Sequence, residues 1–493
     1  MKEEIKDAYH VVYVIFVLFG IATLLPWNVF LTEKEYWDVR FQVRPFNEFI
    51  ADNFMSLFAL SFNALNLATL ALLIRYQRLL SLRVLVLQPL VITLIMLAST
   101  AALALKTQLS GDIMAKFTLP SIGLMGLCTA LLQGGTLQLA SLFSPVHIRG
   151  VVSGIAIGGV VTSSLSFISQ LEATDSGTGQ PTADDVAPAA SMYFSLSAFV
   201  VLMCIAGYTA LPHLPYGRYK LLLAGIIDDP KERQLMTVDD DYEEPLLTVV
   251  EGDGAGSSTG SRTEHTRAAI ISVETDHTQR KRSWQYHHAF SIYCISLFLV
   301  LGITMAIHPG ISSFICSVEN PARVSPCASR TEKGRVYGDL FVPLLYVVFA
   351  VGDFVGRAFA GHGPWAHGLP KPLSVLAYAI GRGLIGAGLL FCHVVTPNVW
   401  LLTQYFDMDL APMALMFFLG FSQGHLISTI CMHAPSTLKP SQASMYGPVT
   451  SFAISVGCFI GSNVCLSLAY KFQEHRDAPM PGVPEVFTTS ALL

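Results

Sequence analysis

The chain has 493 residues, 52% of them hydrophobic and only 13% charged, which is about half the roughly 25% charge of an ordinary soluble domain. Its formal net charge of -5 is small, and no basic run is interleaved with aromatics, so nucleic acid is excluded as a partner. The apolar residues fall in long blocks, and about 20 helical residues suffice to cross a hydrocarbon layer. The expected partner is therefore the lipid bilayer, and the expected class is an all-α polytopic membrane protein.

Taken in chain order, the first block, residues 11–31, follows ten residues carrying both lysines and acids. It ends in Pro26-Trp27-Asn28 without a small-residue cleavage site, so it reads as a retained span rather than a signal peptide. Pro26 frees a backbone carbonyl, and Trp27 stands at a cavity mouth or in the interfacial aromatic belt. Blocks at 53–74, 84–105, 117–143, 150–171 and 190–211 follow. Then comes a polar stretch, 213–288, with the acidic run 239–244, Gly and Ser from 252 to 261, and the basic cluster Arg280, Lys281, Arg282. This composition predicts a disordered linker. Five more blocks lie at 289–311, 337–360, 373–395, 411–434 and 446–470.

The reading is thus about eleven spans in a 6+5 arrangement: a six-helix bundle over 1–212, a linker over 213–288, a five-helix bundle over 289–471 and a tail over 472–493. Arg75, Arg78 and Arg83 after the second span, set against the acidic and Lys/Arg-free stretch 172–189, place the N-terminus and linker in the cytoplasm and the tail outside. The loop 317–336, with Arg323, Arg330, Lys333 and Arg335, runs against that rule.

An internal repeat supports two bundles. Leu132-Gln133-Gly134 precedes Pro145 as Ser422-Gln423-Gly424 precedes Pro435, at an offset of 290 for both the Gln and the Pro. Gly20-Ile21-Ala22-Thr23 before Pro26 is echoed by Gly302-Ile303-Thr304 before Pro309, at an offset of 282. Parallel repeats of this kind build major-facilitator-like carriers, with the substrate between the halves.

The polar residues that the spans tolerate are the candidates for function. Asp353 and Arg357 are four apart, share a helix face and can pair; an intramembrane charge by default marks a ligand or ion pathway. The pair either faces a cavity and hydrogen-bonds a hydroxyl-rich solute, or Asp353 only neutralises Arg357. Arg382 is a cavity ligand or a structural partner of Asp353. Gln133 offers an amide suited to the edge of a heterocyclic base, or to an interhelical hydrogen bond. His308 can relay a proton or sit satisfied in the core. Gly154 and Gly158, Gly420 and Gly424, and Gly457 and Gly461 form GxxxG spacings, which let helix backbones pack closely. Seven of the nine cysteines lie in or beside spans, and only Cys316 and Cys327 sit in a polar loop, where a local disulfide can form if the loop faces an oxidising side. No Cys/His spacing suggests a metal, no cofactor is expected, and no paired-carboxylate or metal cluster supports an intramembrane enzyme.

Several of these stretches, in order, resemble the equilibrative nucleoside transporter family. They are Leu24-Leu25-Pro26-Trp27-Asn28; Leu132-Gln133-Gly134 with Leu142-Phe143-Ser144-Pro145 and Val152-Ser153-Gly154; Asp353-Phe354-Val355-Gly356-Arg357; Arg382; and Gly424 with Pro435. The resemblance implies an eleven-helix, major-facilitator-like fold and facilitative transport of nucleosides, with nucleobases as further candidates, by alternating access. It implies that Gln133 contacts the base, that Asp353 and Arg357 contact the ribose hydroxyls, and that Leu24 and Trp27 line the cavity, with Arg382 a further site residue. A proton-coupled symporter, with Asp353 or His308 titrating, is the alternative. Ala350, Ala156, Gln423 and His425 depart from the family pattern, which bears on base selectivity more than on substrate class. In the linker, Asp241-Tyr242-Glu243-Glu244-Pro245-Leu246-Leu247 resembles an acidic dileucine signal, making trafficking adaptors expected partners at Leu246 and Leu247. The plasma membrane is the expected address, with endolysosomal or vacuolar membranes as alternatives.

Overall fold

The computed structural model describes residues 7–32, 34–41, 43–76, 79–172, 183–226, 288–309, 311–320, 333–360, 371–394, 405–438 and 445–474. In chain order the helices are α1 (Val11–Thr32), the short α2 (Lys34–Arg40), α3 (Glu48–Tyr76), α4 (Gln88–Ala104), α5 (Gly111–Ser141), α6 (Pro145–Glu172), α7 (Ala183–Ala210) and the short α8 (Pro215–Leu223). They continue as α9 (residues 288–307), α10 (Phe341–Phe359), α11 (Pro372–Leu389), α12 (Leu410–His433) and α13 (Tyr446–Glu474). A π-helical turn, Arg83–Leu87, leads into α4.

Local chemistry sets several boundaries. Proline opens α6, α8 and α11, where the missing N–H would have had no intrahelical partner. Ser110 caps α5 by accepting from the Ile113 N–H at 3.3 Å, which satisfies one of the free donors of the first turn.

Ten helices among the described residues are long and apolar enough to cross a membrane. The remaining expected span, 53–74, lies within the 29-residue α3, some of whose side chains fall outside the described residues. Within the stretch read as a linker, residues 227–287 also fall outside, together with Leu246 and Leu247, and so do residues 475–493 of the tail and Cys327. The beginning of that stretch is helical: α8 buries Gly217, Leu221 and Leu222, a packed element that the polar composition did not suggest. Cys316 is disulfide-bonded, and the seven cysteines in or beside the spans are free thiols.

The helices alternate in direction, as two sets of contacts at opposite ends show. At one end the Asp7 carboxylate accepts from the N–H groups of Val12 and Tyr13 at 3.1 and 2.9 Å. It lies 3.8 Å from Nε2 of His147, at the start of α6, and the His147 ring stacks on Tyr216 of α8 at 5.4 Å. The end of α7 and the stretch that follows it are here too, so this is the linker-side end. At the other end Arg40 of α2 donates to the carbonyls of Leu109 and Lys106, between α4 and α5, at 2.7 and 2.8 Å.

The two halves repeat one packing scheme. In the first, α1 packs on α6 and α3 on α5; in the second, α10 packs on α12, and α9 meets α13. The glycines make the equivalence specific. A side chain added at Gly20 would strike the backbone of Val151 and Gly154, and one added at Gly461 would strike that of Gly302. Gly20 and Gly302, matched in sequence at an offset of 282, thus occupy matching helix crossings, which is the close-approach role of the GxxxG pattern. The first bundle is the larger by one helix, and in it α4 packs on α7. Between halves, α6 meets α10 and α12, and α13 meets α3 and α5.

Candidate functional site

The site is built on the crossing of α10 and α12, where backbones touch because the contact positions are glycine. A Cβ on Gly356 would meet the Phe421 carbonyl and come within 2.9 Å of the His425 nitrogen. One on Gly424 would meet the Asp353 carbonyl and come within 3.0 Å of Cγ of Arg357. Gly352 and Gly420 make the same kind of contact a helical turn earlier. Four glycines on facing stripes hold the two helices close, and the side chains beside them, Asp353, Arg357 and Gln423, are thereby brought together.

Asp353 and Arg357 are 6% and 4% exposed. Arg357 clasps the carboxylate with Nε to Oδ2 at 2.8 Å and Nη2 to Oδ1 at 3.2 Å, the fork geometry that suits a guanidinium to a carboxylate. Its remaining arm, Nη1, crosses to the other half and donates to the Val152 carbonyl of α6 at 2.7 Å. Gln423 of α12 donates from Nε2 to Oδ1 of Asp353 at 3.3 Å. A charged pair away from water is sustained only when its remaining hydrogen-bonding capacity is met as well, and these bonds do so from three helices. The cluster therefore combines a charge pair, a donor to the opposite half and a neutral amide, a set able to exchange internal hydrogen bonds for those of a polyhydroxylated solute.

Arg382 is 1% exposed and is bound differently. Nε donates to Ser422 Oγ at 2.8 Å, Nη1 to the Val300 carbonyl at 2.7 Å, and Nη2 to Thr304 Oγ1 at 2.9 Å and the Leu419 carbonyl at 3.0 Å. All four acceptors are neutral groups of α9 and α12, and no hydrogen bond joins Arg382 to Asp353 among the described residues. Arg382 fastens three helices of the second half and reaches the charged cluster through Ser422, the neighbour of Gln423.

Among the described residues, none of the other expected residues hydrogen-bonds to this cluster. Leu24 and Trp27 are half-buried on α1, and lie four and seven positions beyond Gly20, on the same helical face. That face meets α6 at Val151 and Gly154, beside the carbonyl that Arg357 uses. The Trp27 ring packs on Phe58 and Phe62 of α3 at 4.9 and 5.1 Å. Gln133 is 8% exposed, next to Gly134, where an added Cβ would lie 3.6 Å from Pro448 Cα of α13. It therefore stands at the meeting of the halves. Among the described residues, its side-chain amide has no hydrogen-bond partner. His308 is set apart: Nδ1 pairs with Ser312 Oγ at 3.0 Å, and the ring lies between Tyr346 and Phe349 at 4.7 and 4.4 Å.

Two participants were not singled out as site residues from the sequence. The Val152 carbonyl is a backbone acceptor and carries no side-chain signature. Gln423 had one: it is the repeat counterpart of Gln133, at an offset of 290.

Comparisons with known proteins identify both a family and a fold. Residues 119–472 match the family model described as nucleoside transporter. Equilibrative nucleoside transporter 2 of Mus musculus is 25% identical over 490 residues, covering 94% of this chain and 98% of the relative. Equilibrative nucleoside transporter 1 of Homo sapiens is 24% identical over 484 residues, covering 93% and 96%. Among solved structures, the major facilitator superfamily proton:xylose symporter XylE bound to 6-bromo-6-deoxy-D-glucose is similar, with a TM-score of 0.55 at 13% identity over 94% of this chain and 88% of that one. That likeness concerns the fold and establishes its major-facilitator-like architecture. The chain is a multi-pass integral membrane protein, not an enzyme, and it belongs to the nucleoside transporter family.

Proposed function

We propose that the chain is a facilitative carrier that moves nucleosides across a membrane by rocking its two halves about a site between them. The observation that carries this reading is the buried Asp353–Arg357 pair, whose guanidinium also reaches across to α6 at 2.7 Å. A ligand that engages this pair must alter a contact between the halves, and binding is thereby linked to their relative movement. In this reading Asp353 and Arg357 take the ribose hydroxyls, and Gln133 takes the base edge with its amide. Leu24 and Trp27 line the path, and Arg382 supports the site from behind through Ser422.

The facilitative mode is preferred to proton coupling because the matched relatives are named equilibrative. The proposed address is the plasma membrane. Proteoliposomes containing the purified protein should take up radiolabelled adenosine or uridine saturably, with half-saturation in the micromolar-to-millimolar range and no imposed proton gradient. Folded protein that shows no saturable uptake of any nucleoside would end this reading.

A further inference from the structure

We propose that Gln423 is a direct ligand of the substrate, accepting a hydrogen bond from one ribose hydroxyl while its amide nitrogen holds Asp353. The proposal rests on the nucleoside reading above and extends it to a residue of α12.

Three observations converge on Gln423. A carboxylate accepts but does not donate, so the amide must turn its NH2 toward Oδ1 of Asp353, at 3.3 Å, and its carbonyl the other way. That carbonyl, Oε1, is buried without a hydrogen-bond partner among the described residues, on a side chain only 6% exposed. A buried acceptor left unpaired is destabilising, and native structures leave few such groups without a reason. The second observation is the repeat: Gln423 is to the second bundle what Gln133 is to the first, at an offset of 290. The third is position. Ala350, one turn before Asp353, brings no polar group to this region of α10, whereas Gln423 brings an amide to the same carboxylate from the neighbouring helix.

The chemistry of the pair defines what Gln423 would take. Asp353 offers an anionic acceptor and Gln423 a neutral one, so two neighbouring hydroxyls can each donate to a different residue. A hydroxyl has one proton to donate, which means that the hydroxyl bound to Oε1 is not the one bound to Asp353. Gln423 would thus read the second hydroxyl of a vicinal pair, a feature of ribonucleosides.

The test compares uridine with its 2′-deoxy, 3′-deoxy and 5′-deoxy analogues as competitors of labelled uridine uptake, using full-length wild type, Gln423→Met, Gln423→Asn and Asp353→Asn. In the wild type, removing the hydroxyl that Oε1 accepts is expected to weaken competition about 10-fold, roughly 1.4 kcal/mol. In Gln423→Met that penalty should shrink to within about 2-fold while the others persist, and the hydroxyl silenced should differ from the one silenced by Asp353→Asn. Gln423→Asn, with a shorter amide, should show a smaller loss of the same kind, and carries the test if the Met variant does not fold. The proposal is overturned if every penalty survives in both Gln423 variants, or if they silence the same hydroxyl as Asp353→Asn, since Gln423 would then act only by positioning Asp353. Wild-type protein that binds no nucleoside at all would instead remove the reading on which the proposal stands.

Discussion

Arg357→Met should abolish nucleoside uptake, lowering it by 100-fold or more, and should destabilise the protein by about 3–5 kcal/mol, the range for breaking a buried ion pair by removing one partner. The effect is large because three interactions are lost together. The Asp353 carboxylate, 6% exposed, loses its forked partner at 2.8 and 3.2 Å. The Val152 carbonyl loses the donor that reaches it from the other half. Among the described residues, the one hydrogen bond then left to the carboxylate side chain is the 3.3 Å bond from Gln423. Arg357→Lys should recover much of the stability and little of the transport, since an ammonium keeps the charge but not the planar fork. The double variant Asp353→Leu with Arg357→Met should recover stability, because an apolar pair of similar volume is often neutral or better, and should remain inactive. Thermal unfolding and uptake measured on the same preparations separate the two effects. A double variant that transports at the wild-type rate would remove the pair from the mechanism.

The second large effect is expected at Gly447. This residue opens α13 against α5, and a Cβ placed on it would strike the Gly134 carbonyl and come within 2.9 Å of the Gln138 nitrogen. Two backbones meet there, neither of which can move aside as a side chain could. Overpacking of this kind is destabilising by about 1–3 kcal/mol, and here it falls only on the arrangement in which the two halves touch at the linker-side end. Gly447→Val should therefore shift the equilibrium away from that arrangement by roughly 5–150-fold. Uptake should fall at least 10-fold while each bundle stays folded. A thiol reagent applied from the linker side should also label a Gln138→Cys reporter several-fold faster. Unchanged uptake and labelling would mean that the α5–α13 contact plays no role in the transport cycle.

Much of the architecture is legible in the sequence because the membrane imposes a simple requirement: backbone groups must pair within each helix. Long apolar blocks therefore translate directly into α1, α4 and the other spans, and a polar residue within one stands out. The repeat was legible for a related reason. Gly20 and Gly302 recur because the two halves use the same close crossing, where a Cβ on Gly20 would collide with the Val151 backbone and one on Gly461 with that of Gly302.

What the sequence does not carry is the identity of partners. A GxxxG spacing announces a close approach, yet nothing in Gly420 and Gly424 says that the approaching strip is Phe349 to Arg357 of α10. Arg382 reads equally as a ligand or a support, and nothing in its sequence position announces its four neutral acceptors on α9 and α12. The Val152 carbonyl has no signature at all. The polar run after α7 hides the packed α8, because a short helix needs only a few buried residues, here Gly217, Leu221 and Leu222, to be held in place.

The central claim, a facilitative carrier whose two halves alternate about one nucleoside site, is tested most directly by counterflow. Proteoliposomes preloaded with unlabelled uridine and diluted into trace labelled uridine should accumulate the label transiently above its external concentration, then lose it as the gradient decays, with no proton gradient imposed. Label that only rises to equilibrium, with no overshoot in folded and reconstituted protein, would contradict a carrier that exposes one site alternately to the two sides.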